Sequence, residues 1–305
     1  MNIQWYPGHM TKARRAMKED MKLIDLVIEL VDARVPFSSR NPDIDELAAG
    51  KARMVLLNKA DLADEAKNAA WAALFESRGI HVAKIDARNK GSLKQVQAVI
   101  QEACKEKIER DRRRGILNRP IRTMVVGIPN VGKSTFINSF AGKACAKTGN
   151  KPGVTKGNQW IRLNKTLELL DTPGILWPRF EDQTVGLHLA LIGSINDQIL
   201  NREELAWELI GLLEQIYPGV LTERYGDAAE GETEDNSAWK ELSKEEQNLK
   251  ASRMLEQIAK NRACLMKGGE LDLARASALL LDEFRSGKLG KLSLEQAQDY
   301  TDRVK

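Results

Sequence analysis

The 305-residue chain holds three cysteines, Cys104, Cys145 and Cys264, far apart and never in a C-x-x-C pair. That excludes a disulfide framework and a cysteine zinc site, and a reducing compartment is expected. No apolar run approaches the roughly 18 residues that cross a bilayer. The best, residues 23–31, is broken by Asp25 and Glu29. The N-terminus shows no basic region followed by an apolar one, so we expect no signal peptide, no membrane contact and a cytoplasmic protein. Aromatic residues make up only 5%, and no aromatic stacking motif of the RRM kind is present. Neither sign of charge dominates: 47 Lys and Arg face 43 Asp and Glu, a net +4. That balance permits a nucleic-acid partner without demanding one. No internal repeat is visible.

What is present suits a soluble globular protein of two domains. Hydrophobic residues reach 42% and charged residues 30%, over about twice the usual domain length. Residues 11–22 carry Lys12, Arg14, Arg15, Lys18 and Lys22 and read as a basic, exposed helix. Short apolar runs then end at Asp32, Asn58 and Ile85, with helical stretches around 65–78 and 92–110 between them. The alternation resumes at 124–126, 160–163 and 167–170. Strands alternating with helices point to a parallel α/β sheet. After about residue 177 strand signals stop. Leu205, Leu209, Leu212 and Ile216 recur at spacings of 4, 3 and 4, one face of a helix that Pro218-Gly219 ends. Residues 227–238 are acidic and rich in small residues, a loop or mobile insert. Leu255, Ile258 and Leu265 then read as one helix, and Leu271, Ala274, Ala278 and Leu281 as another.

Gly127-Ile128-Pro129-Asn130-Val131-Gly132-Lys133-Ser134 fits G-x-x-x-x-G-K-[ST], after a strand and before the helical Thr135-Phe136. That context is what a phosphate-binding loop requires. Glycines let backbone amides curl around phosphate oxygens, and the new helix adds its positive end. Asn130, Val131, Gly132, Lys133, Ser134 and Thr135 are the expected phosphate contacts. Lys133 would reach the β- and γ-phosphates, and Ser134 would ligate Mg²⁺. Asp171-Thr172-Pro173-Gly174 follows a strand, 38 residues after Lys133. There Asp171 would hold a Mg²⁺-bound water and the Gly174 amide would sense the γ-phosphate. Between the two lies Pro152-Gly153-Val154-Thr155, whose threonine can close on Mg²⁺ and the γ-phosphate.

Asn58-Lys59-Ala60-Asp61 reads N-K-x-D at the end of a strand. A carboxylate at Asp61 can accept from guanine N1–H and the 2-amino group together. Adenine lacks that donor pair, and buried groups left unpaired are costly. Lys59 can lay its stem across the base. Asp86-Ala87-Arg88 ends the next strand and resembles the S-A-K-type loop whose backbone amide touches guanine O6. In ordinary Ras-like GTPases the base motif follows the phosphate loop. Here Asn58 precedes Lys133 by 75 residues, and no second N-K-x-D follows Gly174. The parts are complete in a permuted order, with the charged stretch 101–121 bridging the old ends. The second switch then leads directly into the helical region, which nucleotide state could move as a lever.

With Trp5-Tyr6-Pro7-Gly8-His9-Met10 and Asp32-Ala33-Arg34-Val35-Pro36, this order resembles the YlqF/YawG circularly permuted GTPases over essentially the whole chain. The resemblance implies a circularly permuted Ras-like P-loop GTPase domain at 1–177, with a mostly parallel sheet and flanking helices. An all-helical domain follows at 178–305, similar to RNA-binding antiterminator modules. It also implies a GTPase acting late in assembly of the large (50S) ribosomal subunit, stimulated by it, with rRNA and ribosomal proteins as partners. We expect a monomer off the ribosome. A nucleotide-gated scaffold or a GTPase regulating another protein remain rival readings.

Many GTPases place a water-orienting glutamine after D-x-x-G; Ile175 stands there and cannot hydrogen-bond water. Intrinsic hydrolysis should be slow unless another group enters. His9 is one candidate, since imidazole can orient water near neutral pH; a structural or RNA-facing histidine is the other reading. His81 and His188 read as core or surface residues. Asn130 resembles the asparagine of potassium-activated GTPases, whose carbonyl helps bind K⁺, or else simply caps the loop turn. Residues 102–122 carry eight Lys and Arg against four Asp and Glu, and 250–305 carry 11 against eight. These are RNA-facing surfaces or solvated helix faces. Phosphate and shape contacts would dominate any RNA binding.

Overall fold

The computed structural model describes residues 15, 17–117, 119–146, 159–172, 182–226 and 239–304. The expectations for His9, Thr155, Gly174 and the acidic stretch 227–238 lie outside these residues.

Six strands form one sheet, in the order β3-β2-β1-β4-β6-β5. They are β1 (Leu26–Asp32), β2 (Ala52–Asn58), β3 (His81–Ile85), β4 (Ile121–Gly127), β5 (Gln159–Arg162) and β6 (Leu167–Asp171). All pairings are parallel except β5 with β6. All seven positions of β1 are buried, as a parallel strand covered on both faces demands. Glu29 breaks its apolar run, but its carboxylate accepts from Arg40 Nε (3.2 Å) and the Asn41 amide (3.0 Å). The strand entering the phosphate loop, β4, is central. The three earlier strands lie on one side of it and the two later ones on the other.

Helices α1 (Asp43–Leu47), α2 (Glu65–Ser77), α3 (Lys90–Ala103), α4 (Lys105–Arg113) and α5 (Lys133–Ala141) connect the strands. The helix expected over 92–110 is two, interrupted at Cys104 (φ −104°, ψ 9°). Helices α6 (Gln183–Leu191), α7 (Arg202–Ile216), α8 (Val220–Tyr225), α9 (Lys244–Asn261) and α10 (Leu273–Ser286) follow. Ser243 starts α9 with a reciprocal capping box to Glu246. Two expectations need correction. Leu265 is not on α9: the helix ends at Asn261, Ala263 adopts a left-handed φ of 48°, and Leu265 is exposed. Asp272 caps α10 through the Arg275 amide (2.8 Å), leaving Leu271 before the helix. The inward face is Ala276, Ser277, Leu280, Leu281 and Phe284, and Ala274 is exposed. Among the described residues no helix is long and apolar enough to cross a membrane.

After α10 the chain returns to the sheet. The Leu292 amide donates to Leu62 O (3.0 Å) and the Leu294 amide to Arg34 O (2.8 Å). Tyr300 stacks on Phe37 at 4.4 Å and tilts against Trp71 at 5.7 Å. Buried Glu295 accepts from the Phe37 amide (2.7 Å), the Ser38 amide (3.0 Å) and Ser38 Oγ, and its Oε1 lies 3.0 Å from His188 Nδ1. His188, on α6, is therefore a core residue tying three remote segments together. Removing the shared carboxylate leaves buried donors unpaired. Glu295→Ala should destabilise the fold by about 3 kcal/mol, read as a lower urea midpoint, and Glu295→Gln should cost less.

Candidate nucleotide site

The site forms where β2, β4 and β6 end on one edge of the sheet, the usual ligand crevice of parallel α/β folds. Gly132 opens α5 in a left-handed conformation (φ 96°), and Asn130 has φ 60°. A Cβ at Gly132 would lie 2.4 Å from Asn58 Nδ2, so glycine is required by both conformation and space. Lys133 and Ser134 follow on the first turn. The Lys133 ammonium pairs with Asp171, both nearly fully buried. Burial lowers the Lys133 pKa, opposed by the Asp171 charge.

Asn58 joins the base motif to the phosphate loop. Its Nδ2 donates to Val131 O (2.7 Å), and its Oδ1 accepts from the Ala87 amide (3.0 Å). Lys59, left-handed at φ 58°, donates from Nζ to Asn130 O (3.2 Å) and Asp32 Oδ2 (2.9 Å). Burial lowers its pKa, with Asp32 pulling the other way. Ala60 follows in a short turn, and Asp61 is exposed at its rim. Arg88 Nη2 donates to Asp61 Oδ2 (2.7 Å) and Arg88 Nε to Asp86 Oδ1 (3.0 Å). The amides of Ala87 and Arg88 are both engaged, by Asn58 Oδ1 and Asp86 Oδ1.

The structure thus brings together Asn58, Lys59, Ala87, Asn130, Val131, Gly132, Lys133 and Asp171. Asp61 and Asp86 meet at the rim through Arg88, and Thr135 lies on the first turn of α5. Sequence reasoning missed the support behind them. Asp32 is fully buried and takes a bidentate pair from Arg34 (2.9 and 2.8 Å) besides Lys59. Burial pushes its carboxyl up, but Arg34 and Lys59 hold it well below the ordinary carboxylate range. Arg34 Nη1 also donates to Phe284 O (3.3 Å) and Arg285 O (3.2 Å), at the end of α10. Asn130 Nδ2 donates to Gly193 O (2.7 Å), just past α6. The available signal for Asp32 was its place at a strand end, in register with Asn58.

Comparison with known proteins agrees with this geometry. Residues 122–212 match MMR_HSR1, the 50S ribosome-binding GTPase family. The chain is 47% identical to ribosome biogenesis GTPase A of Bacillus cereus over 304 residues, covering 100% of this chain and 97% of that one. The chain belongs to the ribosome biogenesis GTPase A family. The Thermotoga maritima member is 31% identical over 299 residues, covering 98% of this chain and 96% of that one. Among solved structures, GDP-bound TM YlqF superimposes with a TM-score of 0.61 at 26% identity, covering 93% of this chain and 99% of that one. GNP-bound YlqF from T. maritima gives 0.59 at 27%, covering 94% and 99%. As a member of that family, the chain binds guanine nucleotide and hydrolyses GTP. Its nucleotide loop tolerates no side chain at the helix start. Gly132→Ala should weaken GDP binding at least about tenfold, the equivalent of about 1.4 kcal/mol, measured by calorimetric titration.

Proposed function

We propose that the chain is a GTP-driven assembly factor acting late on the large (50S) ribosomal subunit, and that contact with its rRNA and ribosomal proteins raises a slow intrinsic turnover. The observation that carries the nucleotide half is the Asn58 bridge, which makes one pocket of two sequence-distant motifs. Support for the ribosomal half comes from the likeness to ribosome biogenesis GTPase A and to the 50S ribosome-binding GTPase family. The factor works in the cytoplasm and is a monomer off the ribosome.

In this reading Asp61 accepts from guanine N1–H and the 2-amino group once Arg88 gives way. Lys59 lies along the base, the turn at Ala60 sets the spacing, and Asp86 and Ala87 shape the pocket edge. The amides of Val131 to Thr135 cradle phosphate oxygens. Lys133 moves from Asp171 to the β- and γ-phosphates. Among the described residues no group of three acidic, histidine or cysteine side chains could hold a metal. That fits Mg²⁺, which takes one or two protein oxygens and completes its shell with water and phosphate. Ser134, Asp171 and Thr155 would be those hard oxygen donors. Mg²⁺ held there would supply charge neutralisation for the phosphates. Gly174 reports the γ-phosphate through its amide. With Ile175 in the usual glutamine position, His9 orients the attacking water. Asn130 would help hold a K⁺ beside the phosphates.

GTP turnover in potassium buffer, with and without purified large subunits, tests the proposal. The expected result is strong stimulation by the subunit and a lower rate when Na⁺ replaces K⁺. Tight GTP binding with no stimulation would overturn the ribosomal half and leave a nucleotide-gated scaffold or a regulator of another protein. Equal rates in both salts would remove Asn130 as a cation ligand.

A further inference from the structure

Among the described residues, strand β5 is the last in the sheet and pairs with β6. Its side chains alternate about one inward residue. Ile161 is buried, while Trp160 and Arg162 stand on the outer face, Trp160 at 41% exposure. In register across the sheet, Arg122 of β4 and Arg162 of β5 flank Glu168 of β6. The Arg122 guanidinium lies 5.6 Å from the Trp160 ring centroid, and its Nε is 3.6 Å from Glu168. Among the described residues Arg162 has no ion pair. Lys165, in the turn joining β5 to β6, is exposed as well. One guanidinium, that of Arg122, therefore lies against the exposed indole; Arg162 follows two residues along the same strand face, and Lys165 lies in the turn beyond it.

An exposed tryptophan in a chain with few aromatics, with a guanidinium against its ring and a second arginine on the same strand face, differs from an apolar protein hot spot. It suits a base. Unstacked bases lie on indole faces and on guanidinium planes, while arginine and lysine take the phosphates on either side. A duplex keeps its bases stacked and offers none to the platform. We propose that this face, with Trp160 as platform and Arg122, Arg162 and Lys165 as phosphate contacts, is a docking surface for single-stranded RNA. The inference rests on the ribosomal reading above and names where that partner's RNA is held.

The test titrates a fluorescently labelled 12-nucleotide oligouridylate with the full-length protein and, in parallel, pellets the protein with purified large subunits. Trp160→Leu should weaken oligouridylate binding about tenfold or more, and Trp160→Phe, which keeps a ring, should retain most of it. Arg162→Ala should reduce the salt slope by about 0.7, one single-strand phosphate contact. GDP affinity and unstimulated turnover should be unchanged in all three, which certifies the fold. Equal oligouridylate binding by wild type and Trp160→Leu would overturn the proposal. Subunit pelleting that depends on Trp160, with no oligouridylate binding by wild type, would also overturn it, because the face would then take protein. Trp160-dependent oligouridylate binding without any subunit pelleting by wild type would uphold the surface and overturn the ribosomal reading instead.

Discussion

The nucleotide site depends on the side-chain amide of Asn58. It closes β2, holds the carbonyl of Val131 with its nitrogen and orients the Ala87 amide with its oxygen. A backbone turn has one donor and one acceptor to satisfy, and a primary amide offers both at once. Lys59 adds a second link, from its Nζ to Asn130 O. Because Gly132 packs on the same amide, the glycine and the asparagine constrain each other. These links join motifs about 70 residues apart in the chain.

From that amide the polar contacts run outward into the helical region. Lys59 leads to Asp32, Asp32 to Arg34, and Arg34 to the carbonyls at the end of α10. Asn130 leads separately to Gly193 beyond α6. These are buried or partly buried charge and amide contacts, worth more than exposed ones and costly to leave half-made. Arg285 extends the web, donating to Leu191 O (2.9 Å) and Ala190 O (2.8 Å) and pairing with Asp197. The helices are therefore held to the phosphate loop by named side chains, and the returning segment 287–304 locks them to the sheet from the far side. Movement of the phosphate loop has two short routes to the helices.

Much of this was legible in the sequence, for physical reasons. Strands buried on both faces read as apolar runs, and Asp32, Asn58 and Asp171 close three of them. The phosphate loop and N-K-x-D are legible because backbone curvature and base chemistry allow few residue types. Other features were not. Cys104 interrupts a helix that its charged neighbours would continue. Leu265 has helical spacing from Leu255 and Ile258, yet the helix stops first. Leu292 and Leu294 keep a period of 2 for only two positions, and Ala297, Tyr300 and Val304 are spaced by 3 and 4 as on a helix face, so runs this short gave no sign that the segment returns to the sheet. Asp32 looks like any aspartate at a strand end until Lys59 and Arg34 are placed on it.

The central claim is that the front and the middle of the chain build one guanine-nucleotide pocket, with Asp61 reading the base. The most direct measurement is the affinity of Asp61→Asn for GDP and for XDP, beside wild type. The account predicts a reversal, with the variant preferring XDP because an amide presents a donor where the carboxylate offered an acceptor. An Asp61→Asn protein that still prefers GDP, at wild-type affinity, would contradict it.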